Sequence, residues 1–340
     1  MRNSFKTPPP MESVRRSASI VATGAYLPSR VLTNADLEKM IDTSDEWIRT
    51  RTGIRERRIA DKDEFTSDMG ARAAEQALQQ SGINPKDIDL IIVATCTPDT
   101  VFPSTACHIQ HKIGATRAAA YDVGAACSGF LYALVTAEQF IASGAYKTVL
   151  VIGAEKLSSI VNWQDRNTCV LFGDGAGAVI LQHRPGARGL LAFDLGADGA
   201  QTEILSVPAG GCRMPITQEV IDQRLQFLQM SGKEVFKYAV TAMNRSAEAC
   251  LEKAGCKPAQ LRWIIPHQAN FRIVDAVAQR LDISLEHFVV NLDRYGNTSA
   301  ACMPICLHET MTAGNLKQGD LILMVAFGGG LTWASAVLEW

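Results

Sequence analysis

The 340-residue sequence predicts an α/β protein whose chain repeats one architecture twice. Three observations point there. From Ser19 onward, short β-branched runs alternate with longer helical stretches. "VLFGDGAGAVILQ" from Val170 and "MVAFGGGLTWASAVLEW" from Met324 share one order: apolar strand, Phe-Gly-x-Gly, small residues, apolar strand. "VGAACSGFLYAL" and "YGNTSAACMPICL" each run from a turn of small residues into a helix. The halves are expected to span 19–184 and 185–340, joined near "HRPGARG", a polar Pro/Gly stretch suited to a junction.

The elements follow in order. "ASIVATGAYLP" reads as a strand ending in a turn, and "TNADLEKMI" as a helix capped by Thr33 or Asn34. "TSDMGARAAEQALQQSG" is Ala-rich and amphipathic and stops at Ser81-Gly82. "DIDLIIVATC" is nearly all apolar, as a strand covered on both faces must be. A helix from about Ser104, the strand "AAAYDVG", a helix starting at Cys127, and the strands "TVLVIGAE" and "GAGAVILQ" complete the first half. The second half has a long helix ending at Gly255, the strand and turn "LRWIIPHQAN", the helices "FRIVDAVAQRLD" and "SAACMPICLHETM", and a closing strand–glycine turn–strand.

Composition narrows the function classes. Apolar residues make up 47% and charged residues 20%, and the formal charge of −2 gives no general pull toward nucleic acid or anionic membranes. The apolar run "LILMVAF" is far shorter than the ~20 residues a membrane-spanning helix needs. Residues 1–18 are basic and Pro/Ser-bearing, lack the apolar core of a secretory signal, and read as a disordered extension. Nine cysteines without regular spacing suggest free thiols and a reducing, cytoplasmic compartment. The pairs Cys302/Cys306 and His108/His111 lack further ligands, so no metal is expected. "GDGAGA" from Gly173 runs into a strand where a dinucleotide site needs a helix, so it is read as a close backbone crossing.

Cys127 stands between Gly124, Ala125, Ala126, Ser128 and Gly129, with little steric cover and at the expected start of a helix. Unpaired N–H groups there favour the thiolate, the form in which cysteine is a nucleophile. The alternative is a small core residue, and the partners decide between them. "PHQAN" puts His267 on a turn after a strand, and "YGNTSAA" puts Asn297 on a turn before a helix. Singly these read as a structural histidine and a helix cap; beside a helix-start cysteine they read as donors for a negatively charged oxygen.

At this point the residues resemble the β-ketoacyl-acyl carrier protein synthase III family. The resemblance covers about Ser19 to Trp340 and rests on "TSDEWIRTRTGIRERRIA", "DVGAACSGF", "DRNTCVLFGDGAGAV", "PHQAN", "YGNTSAA" and "FGGGLTWASAVLEW". Gly124 departs from it, since asparagine is frequent there. The resemblance implies a thiolase-like fold of five alternating α and β layers, a homodimer, and the decarboxylating condensation of a short acyl-CoA with malonyl-acyl carrier protein. Cys127 would carry the acyl group, while His267 and Asn297 would stabilise the enolate left by loss of CO2. Backbone N–H groups of Cys127 and Gly329 would form the oxyanion hole.

By the same resemblance Trp47 and Arg166 would sandwich the adenine of CoA, with Arg51 near its phosphates and Gly232 and Asn270 along the pantetheine arm. Leu171, Phe172 and Phe327 would line the acyl pocket, and Phe102 matches the position where a partner subunit closes it. Lys237, Arg272 and Arg280, with Gln268, would meet the acidic carrier protein. No cofactor is implied. Thiolases share the fold but use a second cysteine where the asparagine would act; Cys302 is near in sequence but is expected to face packing neighbours. A secondary-metabolite relative with another primer, a non-catalytic carrier-binding subunit and a cysteine hydrolase are the competing readings.

Overall fold

The computed structural model describes residues 17–340, and the reading of 1–18 as an extension falls almost wholly outside them. Two sheets organise the chain. The first runs in the order Ala18–Tyr26, Gly175–His183, Thr148–Glu155, Leu90–Ala94, Ala119–Val123. Its first two pairings are antiparallel and its last two parallel. The second runs Leu190–Ala197, Thr332–Glu339, Leu321–Gly328, Leu261–Pro266, again with two antiparallel pairings followed by a parallel one. Where a fifth strand would stand, Ile264 makes a single parallel bridge to Phe288. The second sheet therefore repeats the first.

Apolar patterning explains the stacking. Leu90–Ala94 and Thr148–Glu155 are buried along their whole length, as strands with helices on both faces require. The helices Gly129–Ala142 and Cys302–Thr312 pack between the sheets, in one cluster with Ile92 and Val151 of the first and Ile265 and Met324 of the second. Thr66–Ser81 and Thr105–Lys112 cover the outer face of the first sheet against Ile91, Val93 and Ile152. Gly232–Ala254 and Phe271–Leu281 cover the outer face of the second against Leu323 and Val325. The result is the expected five layers, α-β-α-β-α.

Two turns between the sheets position the site, and they are pseudo-equivalent. Ala126–Ser128 forms a 3-10 turn before the helix from Gly129, and Ser299–Ala301 forms one before the helix from Cys302. Each opens on a residue with positive φ, Ala126 at 45° and Ser299 at 48°. Cys127 thus sits in the 3-10 turn, and the α-helix expected to start with it begins two residues later. The "GDGAGA" segment is a close crossing: a Cβ on Gly173 would lie 2.2 Å from the Tyr295 carbonyl oxygen. Among the described residues no helix is long and apolar enough to cross a membrane.

Candidate active site

Cys127, His267 and Asn297 line one cavity of about 890 Å³ that lies between the two halves and opens to the surface. His267 follows the strand Leu261–Pro266 and extends its ladder, its N–H donating to the Val325 carbonyl at 2.8 Å. Asn297 is held on both sides of its backbone: its N–H donates to Leu171 O at 2.8 Å, and its carbonyl accepts from Gly173 N at 3.0 Å. The Asn297 Oδ1 accepts from Ser299 N at 2.8 Å, which commits the oxygen and leaves the amide NH2 to donate into the cavity.

The imidazole of His267 is fixed from behind. Its Nδ1 lies 3.1 Å from Cys302 Sγ, and the same sulfur receives the Gln268 N–H at 3.4 Å. Burial pushes the Cys302 thiol up, so it keeps its hydrogen, and burial pulls His267 down to about 3, so the ring is neutral. With the Cys302 hydrogen directed at Nδ1, the two groups pair as donor and acceptor. In that tautomer the ring hydrogen is on Nε2, the nitrogen left to face the cavity. Cys302 packs in the central apolar cluster, as expected, and it also touches the histidine.

Cys127 corrects an expectation. Its thiol is pushed up to about 12 by burial. Removal from water disfavours the charged form, against the depression expected from a helix start. The turn is tied to the glycine segment at 328–330: Ser128 Oγ donates to Thr332 O at 3.2 Å, and Thr332 Oγ1 donates to Ala125 O at 2.9 Å. A Cβ on Gly328 would lie 2.7 Å from Cys127 N, so only glycine permits this approach. Gly329, next along, lines the cavity with Cys127.

The cavity also takes in Trp47, Arg51, Gly232, Asn270 and Arg272 toward its mouth, and Leu171, Phe172 and Phe327 on its wall. The Arg51 and Arg166 guanidinium carbons lie 4.8 and 4.9 Å from the centre of the Trp47 ring. A base entering between Trp47 and Arg166 therefore requires Arg166 to swing outward. Phe102 is 83% exposed and does not line the cavity of its own chain. Lys237, Arg272 and Arg280 are exposed. Gln268 is a correction: placed with the carrier-facing patch by its sequence neighbours, it is fully buried. Its Nε2 donates to Pro266 O and Val289 O, and its Oε1 accepts from Asn291 N, so it clamps the second half together from inside.

Sequence reasoning missed Lys233, Ser299 and Cys96, which also line the cavity, and Glu155 behind them. Glu155 carried a readable signal, an acid closing an otherwise apolar strand. The proximity of Cys96 and Ser299, some two hundred positions apart, carried none. Among the described residues no group of three or more His, Cys, Asp or Glu is placed to hold a metal ion.

Comparison with known proteins follows the same residues. The family described as 3-oxoacyl-[acyl-carrier-protein] synthase III matches 121–199, and its C-terminal counterpart matches 251–340. The chain is 53% identical over 324 residues to the β-ketoacyl-[acyl-carrier-protein] synthase III of Caldanaerobacter subterraneus subsp. tengcongensis, covering 95% of this chain and 98% of that one. The protein of the same name from Geobacillus kaustophilus is 54% identical over 323 residues, covering 95% and 99%. The crystal structure of 3-oxoacyl-[acyl-carrier-protein] synthase III from Aquifex aeolicus superposes with a TM-score of 0.89 at 51% identity, covering 95% of this chain and 100% of that one.

Proposed function

The chain belongs to the β-ketoacyl-[acyl-carrier-protein] synthase III family, and from that premise we propose how its own residues carry out the initiating condensation of fatty acid synthesis. The substrates are a short acyl-CoA, acetyl-CoA first, and malonyl-acyl carrier protein. The observation that carries the reading is that a buried thiol, a neutral imidazole and a side-chain amide, from three distant segments, line one cavity.

Cys127 Sγ attacks the acyl carbonyl, the C–S bond to CoA breaks, and an acyl-Cys127 thioester remains. Thiolate serves both as nucleophile and as leaving group, which a two-stage transfer needs. The tetrahedral oxyanion is met by the backbone N–H groups of Cys127 and Gly329, and one such donor is typically worth ~3 kcal/mol of barrier. Malonyl-acyl carrier protein then occupies the cavity with its thioester oxygen against His267 Nε2 and the Asn297 amide. Both donors are neutral and neither is a carboxylate, so charge arriving on that oxygen as CO2 departs is stabilised. The resulting carbanion attacks the acyl-Cys127 carbonyl, forms the carbon–carbon bond and releases 3-ketoacyl-acyl carrier protein with Cys127 restored.

Trp47, Arg51 and Arg166 form the CoA nucleotide site, Gly232 and Asn270 flank the pantetheine arm, and Leu171, Phe172 and Phe327 wall the acyl end. Lys237, Arg272 and Arg280 offer positive charge to the carrier protein. The active form is a homodimer, a reading supported by Val101 at 90% and Phe102 at 83% exposure on one loop. Such apolar exposure is relieved by a second copy. The chemistry needs no cofactor, because thioester cleavage and loss of CO2 supply the driving force. Nine free cysteines accord with a cytoplasmic setting.

The test separates the half-reactions. Cys127→Ala is expected to take no acetyl group from acetyl-CoA yet still release CO2 from malonyl-acyl carrier protein. His267→Ala and Asn297→Ala are expected to load and to lose CO2 release by about 100-fold or more, as removal of an oxyanion donor does. Equal loss of both half-reactions in all three variants contradicts the assignment.

A further inference from the structure

His267 and Asn297 come from different elements, and two donors that meet one oxygen need a fixed spacing. In the first half the corresponding task falls to a strand. Ala119–Val123 pairs with Leu90–Ala94 along its whole length and delivers the chain to the Cys127 turn. In the second half the matching segment has almost no ladder. Phe288 bridges Ile264 once, Val289 N donates to Ile264 O at 2.9 Å, and among the described residues the pairing goes no further. Yet this segment leads, through the one-turn helix Leu292–Tyr295, to Asn297.

Gln268 continues where the backbone pairing leaves off. It follows His267 directly and is fully buried. Its Nε2 donates to Pro266 O at 2.8 Å and to Val289 O at 3.0 Å, and its Oε1 accepts from Asn291 N at 3.1 Å. One amide thus engages both a carbonyl and an N–H of the incoming segment, as a neighbouring strand would. Its orientation is forced: turned over, the NH2 would face an N–H and the oxygen two carbonyls.

Asn291, the residue so held, is the root of the helix before Asn297. It is buried, and its carbonyl accepts from Arg294 N at 3.1 Å and from Tyr295 N at 3.3 Å. Its Nδ2 donates to Glu309 Oε2 at 3.0 Å, and the same carboxylate accepts from Arg294 and from the Tyr295 hydroxyl. Glu309 lies on the helix Cys302–Thr312, which begins at the cysteine behind His267. The backbone of Asn297 is bonded to Leu171 and Gly173 of the first half. Gln268 ties the approach to Asn297 to the half that carries His267.

We propose that Gln268 is a positioning residue that sets the spacing of the His267 and Asn297 donors, its side chain making the hydrogen bonds that a fifth strand would otherwise supply. The inference rests on the reading that both donors meet one thioester oxygen during loss of CO2. Donors stabilise charge that develops in the reaction only when they are already in place, so a shift of either one lowers the rate of that step. Acetylation of Cys127 uses other donors and does not depend on this spacing.

The test is CO2 release from malonyl-acyl carrier protein by Gln268→Met, a side chain of similar length without the amide, in the wild-type background and in Asn297→Ala. Spacing between two donors matters only while both are present. With both, Gln268→Met is expected to lower kcat for CO2 release by about tenfold and to change KM by less than about twofold. Cys127 should still be acetylated by acetyl-CoA at the wild-type rate. In Asn297→Ala the same substitution is expected to cost less than about twofold more. Equal loss in both backgrounds, or a parallel fall in acetylation and CO2 release, marks a residue that only supports packing and overturns the proposal. Wild-type kcat in Gln268→Met overturns it too. Should Gln268→Met fail to fold, Glu309→Gln decides, because it keeps the side chain's size and removes the charge on which Asn291, Arg294 and Tyr295 converge. It is expected to show the same difference between backgrounds, and wild-type CO2 release in it overturns the proposal. Wild-type protein that releases no CO2 overturns the condensation reading and the proposal with it, whereas normal wild-type release beside an unaffected variant overturns the proposal alone.

Discussion

At Cys302 the difference between packing and chemistry is one sulfur–nitrogen contact of 3.1 Å. Cys302→Ala is expected to lower CO2 release from malonyl-acyl carrier protein by about tenfold, as the loss of one neutral hydrogen bond would. Cys302→Ser, which keeps a donor and an acceptor, is expected to restore most of it. Imidazole 15N chemical shifts supply the readout that simple loosening would not move: the Nε2–H form should dominate in wild type and Ser, and mix with the other tautomer in Ala. Cys127, His267 and Asn297 were legible in sequence because each interrupts a strand-to-turn or turn-to-helix pattern. Cys302 was not, because its role depends on a side chain 35 positions away. Gln268 misled for a related reason: beside His267 on a turn it reads as surface, and only the packed second half shows it facing inward.

Among elements, the strands and long helices were readable, since period-2 and period-3.6 patterns report which face meets a layer. Gly232–Ala254 and Phe271–Leu281 lie where their apolar spacing put them. The two 3-10 turns were not, for a three-residue turn has no periodicity, and its positive φ falls here on Ala126 and Ser299 without a glycine to mark it. That detail displaced the helix start from Cys127 to Gly129, while burial overturned the expectation of a depressed thiol. Gly328 joins one of these turns to the last hairpin. Gly328→Ala would place a methyl 2.7 Å from Cys127 N, where backbone must move. Its acetyl loading is expected to fall by about 100-fold through damage to the oxyanion hole, while the thermal midpoint drops by a few degrees, checked by loading kinetics and calorimetry.

Across the whole molecule, duplication brings the turn of one half against that of the other, so the cavity exists only when both halves are folded together. Burying a neutral histidine there has a consequence for stability. His267 titrates near 6.5 when unfolded and at about 3 when folded, so between these values the unfolded chain binds more protons. Its contribution is complete above pH 6.5 and is lost progressively as pH falls toward 3. Relative to His267→Gln, the wild type should lose about 3 kcal/mol between pH 7 and pH 4.5, measurable by urea unfolding at the two values. An equal loss in both proteins would show that the ring is not held neutral.

The most direct measurement is a single turnover followed by intact-protein and peptide mass spectrometry: acetyl-CoA first, then malonyl-acyl carrier protein. The geometry predicts one acetyl group on Cys127, which then leaves the protein and reappears as an acetoacetyl chain on the carrier, with one CO2 released per chain. An acetyl group on any other residue, or its discharge to water as free acetate, would contradict it.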